Sequence, residues 1–178
     1  VTYAFDAIAI AAQALTGQSL GAGDARAARA ATTLVVRWGM IVGGLARVAL
    51  ILARPWLPGM FTPEKDVQTV LATALSVVAL SMPATAIFCV LDGVLIGAGD
   101  TRWLAWSMVA LLAAYGPVAI GIRWLRPVLV GDDPTSVTGQ ANGVLWRWLA
   151  FAALMSVRAT VIWLRARTEH WVRLGSAA

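Results

Sequence analysis

The sequence predicts an all-α protein, a polytopic membrane helix bundle with about five transmembrane helices. Hydrophobic residues make up 60% of the 178 residues, only 13% are charged and the mean hydropathy is +0.76, a composition unlike that of soluble globular domains. Five apolar segments are long enough to cross the hydrocarbon core of a bilayer, which needs about 20 residues of helix. Two of these segments end at the same tetrapeptide, Gly-Ala-Gly-Asp, at residues 21–24 and 97–100.

The five segments belong to a single membrane-embedded helical bundle that comprises residues 1–178. We expect the membrane spans at residues 1–20, 32–57, 67–96, 103–125 and 140–164. Because the chain starts in mid-helix pattern without a basic leader, we expect an upstream part. Proline lies within the third segment at Pro83 and within the fourth at Pro117. Both predict kinks, which are either hinges for a conformational change or static bends.

The repeated tetrapeptide predicts a compact turn between two spans. Its residues, with the arginine that follows the second copy, are Gly21, Gly23, Asp24, Gly97, Gly99, Asp100 and Arg102. We expect the first glycine of each copy to take the left-handed conformation that satisfies the last helix carbonyls. The aspartate is expected to accept from the first free N–H groups of the next helix, and the arginine to lie at the lipid headgroups. A phosphate-binding glycine loop would need a preceding strand and a longer glycine fingerprint, which the sequence lacks.

The distribution of charge predicts the orientation in the membrane, since Lys and Arg favour cytoplasmic loops. The side of the two Gly-Ala-Gly-Asp turns and the C-terminus carries seven arginines: Arg26, Arg29, Arg37, Arg102, Arg165, Arg167 and Arg173. The other side carries four basic residues and four acids: Arg54, Lys65, Arg123, Arg126, Glu64, Asp66, Asp132 and Asp133. We therefore expect a multi-pass protein of the cell inner (plasma) membrane with a cytoplasmic C-terminus.

Tryptophan placement agrees with these spans, because aromatic rings collect at the membrane interface. Eight of the nine tryptophans fall near predicted span ends: Trp38, Trp56, Trp103, Trp124, Trp146, Trp148, Trp163 and Trp171. The arginines flank apolar spans and do not form one stripe, so the basic pI of about 10.7 indicates a lipid bilayer as partner and no nucleic acid.

Three stretches in their order resemble the second half of the multidrug and toxic compound extrusion (MATE) transporters, and among them the DNA-damage-inducible protein F (DinF) type. They are DAIAIAAQALTGQSLGAGDARAA, FTPEKDV and LDGVLIGAGDTR. The resemblance implies the C-terminal lobe of a twelve-helix protein whose two lobes enclose a cavity. It also implies secondary active efflux of cationic or amphipathic drugs and toxic compounds by antiport against protons or sodium. The missing N-terminal lobe, in the same or a separate chain, would be a partner. The alternative is a non-transporting membrane assembly subunit or an inactive remnant.

Polar residues inside the spans are the candidates for a transport cavity: Asp92, Asp6, Gln13, Gln18, Thr85 and Asn142. Asp92 is the strongest, because an ionisable group inside an apolar run is costly unless it faces a cavity, pairs or takes up a proton. Its alternative is a position shallow enough to reach the lipid headgroups or to bond the end of a neighbouring helix. One branch of the resembled family has a cation-binding aspartate where this chain has Thr85, so that site is not carried over. For Arg47 in the second span, and for Arg147 and Arg158 in the last, pairing with an acid or a helix carbonyl and contact with a substrate both stay open.

Enzymatic and metal-based functions are not expected. The single histidine, His170, lies in the tail after the last span, away from any candidate nucleophile. The single cysteine, Cys89, excludes an internal disulfide and a cysteine-built metal site. We expect no cofactor other than a coupling proton or sodium ion.

Overall fold

The computed structural model describes residues 2–130, 136–168 and 170–172. They form six helices and no strand, which confirms the all-α prediction: α1 (Thr2–Gly21), α2 (Ala25–Ala53), α3 (Leu57–Phe61), α4 (Lys65–Gly97), α5 (Thr101–Val130) and α6 (Val137–Arg167). Of the charged residues used above for orientation, Asp132, Asp133 and Arg173 lie outside the described residues. The side chains of Arg123 and Arg126 are likewise outside the description.

Four segments within the described residues are long and apolar enough to span a membrane, as expected for a polytopic helix bundle. They are Ala25–Ala53, Lys65–Gly97, Thr101–Gly121 and Gly139–Arg167. The first predicted span forms a helix of 20 residues, α1, but it is not among the four. Polar side chains interrupt its apolar run at Asp6, Gln13 and Gln18.

The helix bounds differ most from the prediction at the second span. Helix α2 starts at Ala25 and ends at Ala53, whereas the sequence predicted residues 32–57. The start is earlier because Asp24 caps the helix directly after the turn. The end is earlier because Pro55 lacks the N–H that would continue the helix. Pro58 then lies in the first turn of the separate short helix α3, which the sequence analysis did not predict.

Helix α4 is the centre of the bundle. It packs against α1, α2 and α6, while α5 packs mainly against α6. Four α4 residues at the core are at most 1% exposed: Val90, Leu91, Val94 and Leu95. Buried residues from the other helices and the tail cover them: Ala12, Leu20, Ala28, Val35, Ile162 and Trp171. Helix α5 has no buried residue in its most apolar window, so its apolar side chains are available to lipid.

Two glycines bring α4 and α1 into backbone contact. A Cβ atom added at Gly93 would overlap the carbonyl oxygen of Ala9, and one added at Gly97 would overlap that of Gln13. The two glycines are four positions apart on α4, and their two partners are four positions apart on α1, so one face of α4 meets one face of α1. Both positions advance together along the chain, and the two helices therefore run in the same direction. Close approach through small residues four apart is a common way for membrane helices to associate.

A second pair of glycines, on α2, brings α2 into close contact with α4. A Cβ atom at Gly43 would lie 2.8 Å from the Cβ of Ala86, and one at Gly39 would lie 2.9 Å from the Cγ2 of Val90. The α4 partner moves towards its C-terminus as the α2 glycine moves towards its N-terminus, so these helices are antiparallel. Helix α4 therefore approaches α1 closely through its own glycines and α2 through glycines of α2.

Both Gly-Ala-Gly-Asp copies form the predicted turn, but the left-handed glycine is the second one. Gly23 has φ +77° and Gly99 has φ +75°, so the prediction for Gly21 and Gly97 is wrong. In each copy the N–H of the second glycine donates 3.0 Å to the carbonyl three residues earlier, and the aspartate N–H donates (2.9 and 3.0 Å) to the carbonyl five residues earlier. This is a Schellman cap. The first glycine stays helical, and at Gly97 that keeps the contact with α1.

The two prolines lie inside unbroken helices. Helix α4 continues through Pro83, which is half-buried at the contact with Gly43, and α5 continues through the exposed Pro117. Pro83 has no N–H to donate to the carbonyl of Ala79, so α4 lacks one hydrogen bond there. Their role as hinges stays a prediction.

Candidate functional site

The aspartates of the two turns have different partners although the turns share a backbone conformation. The Asp24 carboxylate accepts from the backbone N–H groups of Arg26 (3.0 Å) and Ala27 (2.9 Å), as predicted for a helix cap. The Asp100 carboxylate instead accepts from Nε of Arg165 at 2.8 Å, and Nη2 of the same guanidinium forms an ion pair with it at 2.8 Å. The first carboxylate therefore begins α2, and the second ties the turn between α4 and α5 to the end of α6.

A second ion pair joins α4 and α6 deeper in the bundle. The Nη2 of Arg158 donates to the Oδ2 of Asp92. The Arg158 side chain is 12% exposed and the Asp92 side chain 19%, so both charges are largely removed from the surroundings. Asp92 and Arg158 precede Asp100 and Arg165 along the chain by about two helical turns.

Two further residues complete the surroundings of the Arg158 guanidinium. Its Nη1 contacts the sulfur of Met108 on α5, and its central carbon lies 5.0 Å from the ring centroid of Phe88. Phe88 precedes Asp92 by four residues and so shares its face of α4. Three helices thus meet at one guanidinium, with a carboxylate on one side, an aromatic face on another and a thioether on the third.

The Asp92–Arg158 pair has unused hydrogen-bonding capacity. Among the described residues, the Oδ1 of Asp92 and the Nε of Arg158 are buried and have no hydrogen-bond partner. Buried polar atoms are normally satisfied, so two such atoms in one ion pair need an explanation. The Oδ1 of Asp92 therefore keeps the capacity to accept a hydrogen bond.

A groove between α5 and α6 reaches the same arginine. Its volume is about 240 Å³, and its walls are formed by the side chains of both helices: Ser107, Met108, Leu111, Arg158, Val161 and Ile162. The lining is apolar except at Ser107 and Arg158. An apolar molecule in this groove would lie next to the ion pair and not within the packed core.

The structure separates Asp92 from the other sequence-predicted candidates. Asp6, Gln13 and Gln18 are exposed on α1. Ala9 faces Gly93, so Asp6 lies near the depth of Asp92, but Asp92 is turned towards α6. The Thr85 hydroxyl donates to the Ser81 carbonyl of its own helix at 3.0 Å.

Asn142 is half-buried near the N-terminal end of α6, which lies more than four turns from Arg158. The transport roles of Asp6, Gln13, Gln18, Thr85 and Asn142 stay predictions. The headgroup position expected for Arg102, which is exposed at the start of α5, also stays a prediction.

The sequence left the partner of Arg158 open, and Arg165 was counted only among the arginines on the side of the two turns. The spacing of the charges is the signal that the sequence carries for these two contacts. Arg158 and Arg165 are seven residues apart, so they share one face of α6, and Asp92 and Asp100 are eight apart on α4 and its turn. Two basic residues on one helix and two acidic ones at matching intervals on another predict a shared interface.

Metal binding has little support in the residues that the structure describes. They contain no group of three or more histidine, cysteine, aspartate or glutamate residues able to hold a metal ion. His170 is exposed after α6, and Cys89 is half-buried beside the small cluster of Phe5, Ala46 and Ala86.

The fold and the ion pairs define a multi-pass helical membrane protein that keeps a charged pair inside its bundle. A family model described as MatE matches residues 1–125. The chain therefore belongs to the multidrug and toxic compound extrusion family.

Several curated proteins are similar over nearly the whole chain. Protein DETOXIFICATION 44, chloroplastic, of Arabidopsis thaliana is 36% identical over 173 residues, 97% of this chain and 30% of that protein. The DNA damage-inducible protein F of Escherichia coli is 28% identical over 95% of this chain and 33% of its own length. The probable multidrug resistance protein NorM of Idiomarina loihiensis is 25% identical over 90% of this chain and 33% of its own length.

The chain thus spans about a third of the length of these relatives. No solved structure matches it significantly.

Proposed function

We propose that this chain forms most of the C-terminal lobe of a secondary transporter that exports cationic or amphipathic compounds by antiport against protons or sodium. Its membership of the MatE family supports this proposal. Relatives named for multidrug resistance and detoxification support it further. The proposal is for transport and not for catalysis.

The observation that carries the proposal is the Asp92–Arg158 pair inside two membrane-spanning helices. Ionisable residues in such spans are expensive, and they commonly mark ion pathways and proton relays. Asp92 has one oxygen bonded to arginine and one without a partner. A proton or sodium ion at the free oxygen would neutralise the carboxylate and weaken its hold on Arg158.

Neutralisation of Asp92 by an ion gives a physical basis for coupling ion binding to a change of conformation. When Asp92 is neutralised, the attraction that joins α4 to α6 at this depth is reduced, and the two helices gain freedom to change their packing. A carrier needs such a link between ion occupancy and conformation, because an ion shifts a conformational equilibrium only by its differential affinity for the two states.

The proposal includes an orientation and a partner. The two turns and the C-terminus would face the cytoplasm of a cell inner membrane, in line with the excess of arginine on that side. The N-terminal lobe, in the same chain or another, would complete the cavity, because carriers built from repeats bind substrate between the repeats. No cofactor beyond the coupling ion is proposed.

Efflux of ethidium from energised vesicles tests the proposal. The intact protein and its Asp92→Asn variant are compared at matched expression, with proton and sodium gradients applied separately. Asp66→Asn is the control, since it removes an exposed carboxylate from the first turn of the same helix. We expect Asp92→Asn to abolish efflux under one of the two gradients and Asp66→Asn to retain it. Full efflux by Asp92→Asn under both gradients would contradict the assignment.

A further inference from the structure

A second cavity lies at the end of the bundle opposite the two Gly-Ala-Gly-Asp turns. Its volume is about 460 Å³, and it opens between the C-terminal end of α2, the short helix α3 and the first turns of α4. The residues that line it include Arg54, Pro55, Pro58, Lys65, Gln68 and Thr69. It is separate from the Asp92–Arg158 site, which lies in the second half of α4.

The cavity presents cationic and hydrogen-bond-donating groups. Arg54 and Lys65 bring two positive charges from different helices to its wall, and both side chains are exposed. The Gln68 amide donates to the Thr62 carbonyl at 2.8 Å, which leaves its second N–H to donate elsewhere. This combination suits a phosphate group, which accepts several hydrogen bonds and carries negative charge.

Two acids flank Lys65 but do not line the cavity. The α4 residues in its wall lie three and four positions apart and so share one face of the helix. Glu64 and Asp66 are one position to either side of Lys65, and each is rotated by about 100° from that face. Both acids are exposed to the surroundings.

The segment around α3, which contributes Pro55 and Pro58 to the cavity wall, also carries large exposed apolar side chains, and we call these side chains the apolar rim. Trp56 is 71% exposed, Phe61 75% and Met60 80%, and all three belong to α3 or precede it directly. The cavity also lies where the apolar runs of α2 and α4 end, which is the depth of the lipid headgroups. Aromatic residues at this depth have an apolar body for the acyl chains and a polar edge for the interface.

We propose that this cavity binds the headgroup phosphodiester of an anionic phospholipid. Arg54 and Lys65 contact the phosphate, and the acyl chains extend along Trp56, Met60 and Phe61. A soluble phosphate would satisfy the cations but leave the apolar rim unused, so a lipid fits both halves of the surface. The assignment rests on the membrane-spanning helices and not on the proposed transport activity.

Native mass spectrometry of the intact protein tests the assignment, with phosphatidylglycerol and phosphatidylcholine of identical acyl chains as probes. The variants are Arg54→Gln, Lys65→Gln and their combination, and Arg167→Gln is the control because it removes an exposed arginine from the other end of the bundle. We expect each single variant to weaken phosphatidylglycerol binding about fivefold and the double variant about 25-fold. Phosphatidylcholine binding by the unmodified protein should stay weak, and the Arg167→Gln variant should change phosphatidylglycerol binding by less than about twofold.

Three results would overturn the proposal. They are equal binding of the two lipids by the unmodified protein, an unchanged affinity in the double variant, and full displacement of the lipid by an equal concentration of glycerol 3-phosphate. The last result would assign the site to soluble anions. Circular dichroism of each variant checks that the helix content is retained. Arg54→Lys, which keeps the charge, should restore binding in a folded protein.

Discussion

Replacement of Gly93 by alanine is expected to force α1 and α4 apart. The added Cβ atom would lie 2.9 Å from the carbonyl carbon of Ala9 and 3.0 Å from its Cα, and it would overlap the carbonyl oxygen. Ordinary van der Waals contact begins at 3.4 Å, so the carbonyl carbon alone requires a displacement of about 0.5 Å. All the obstructing atoms belong to the backbone, and no rotamer change relieves the overlap.

The expected cost is about 1–3 kcal/mol, the usual penalty for overpacking a close contact. Unfolding of the intact protein in detergent micelles with increasing sodium dodecyl sulfate, followed by circular dichroism, measures it. Gly44→Ala is the matched control, because a Cβ atom at Gly44 meets nothing within 4 Å and alanine favours a helix. Gly93→Ala should unfold at a lower detergent fraction than the original protein, and Gly44→Ala should not. Equal midpoints for the two variants would refute the close packing of α1 on α4.

The same unfolding assay tests the ion pair and the first turn. Arg158→Gln should cost about 3–5 kcal/mol because it leaves the Asp92 carboxylate without its partner, and the double variant Asp92→Asn with Arg158→Gln should recover most of that loss. A double variant as unstable as the sum of the single variants would show that the pair has no mutual interaction. Gly23→Ala should cost about 1 kcal/mol, since φ +77° disfavours an L side chain, whereas Gly21→Ala, which stays helical, should be neutral or stabilising. Equal effects of the two glycine substitutions would contradict the observed cap.

Much of the fold follows from local features of the sequence. Helix ends depend on nearby residues, so the Gly-Ala-Gly-Asp copies were enough to predict a turn, and Asp24 was correctly expected to cap α2. The error at Gly21 arose from a choice that local propensity does not make, because either glycine of the motif can adopt a positive φ. Packing decides between them at the second copy, where Gly97 must remain helical to contact α1.

The candidate site depends on tertiary contacts that no short motif encodes. Asp92 stood out as a carboxylate in an apolar run, but its partner Arg158 is 66 positions away in the chain. Two equivalent motifs could not reveal that Asp100 is engaged by Arg165 whereas Asp24 caps a helix. Helix α3 was missed because its five residues, one of them a proline, carry too little periodicity to be recognised.

The decisive question is whether Asp92 couples ion entry to export. Transport into vesicles answers it when the unmodified full-length protein is compared with its Asp92→Asn variant. One set of vesicles measures the gradient-driven accumulation of ethidium. A second set, without any ion gradient, measures the exchange of labelled for unlabelled substrate. A coupling carboxylate is needed only in the first assay, so we expect Asp92→Asn to lose accumulation and to retain exchange. Loss of both activities, or retention of both, would contradict the account.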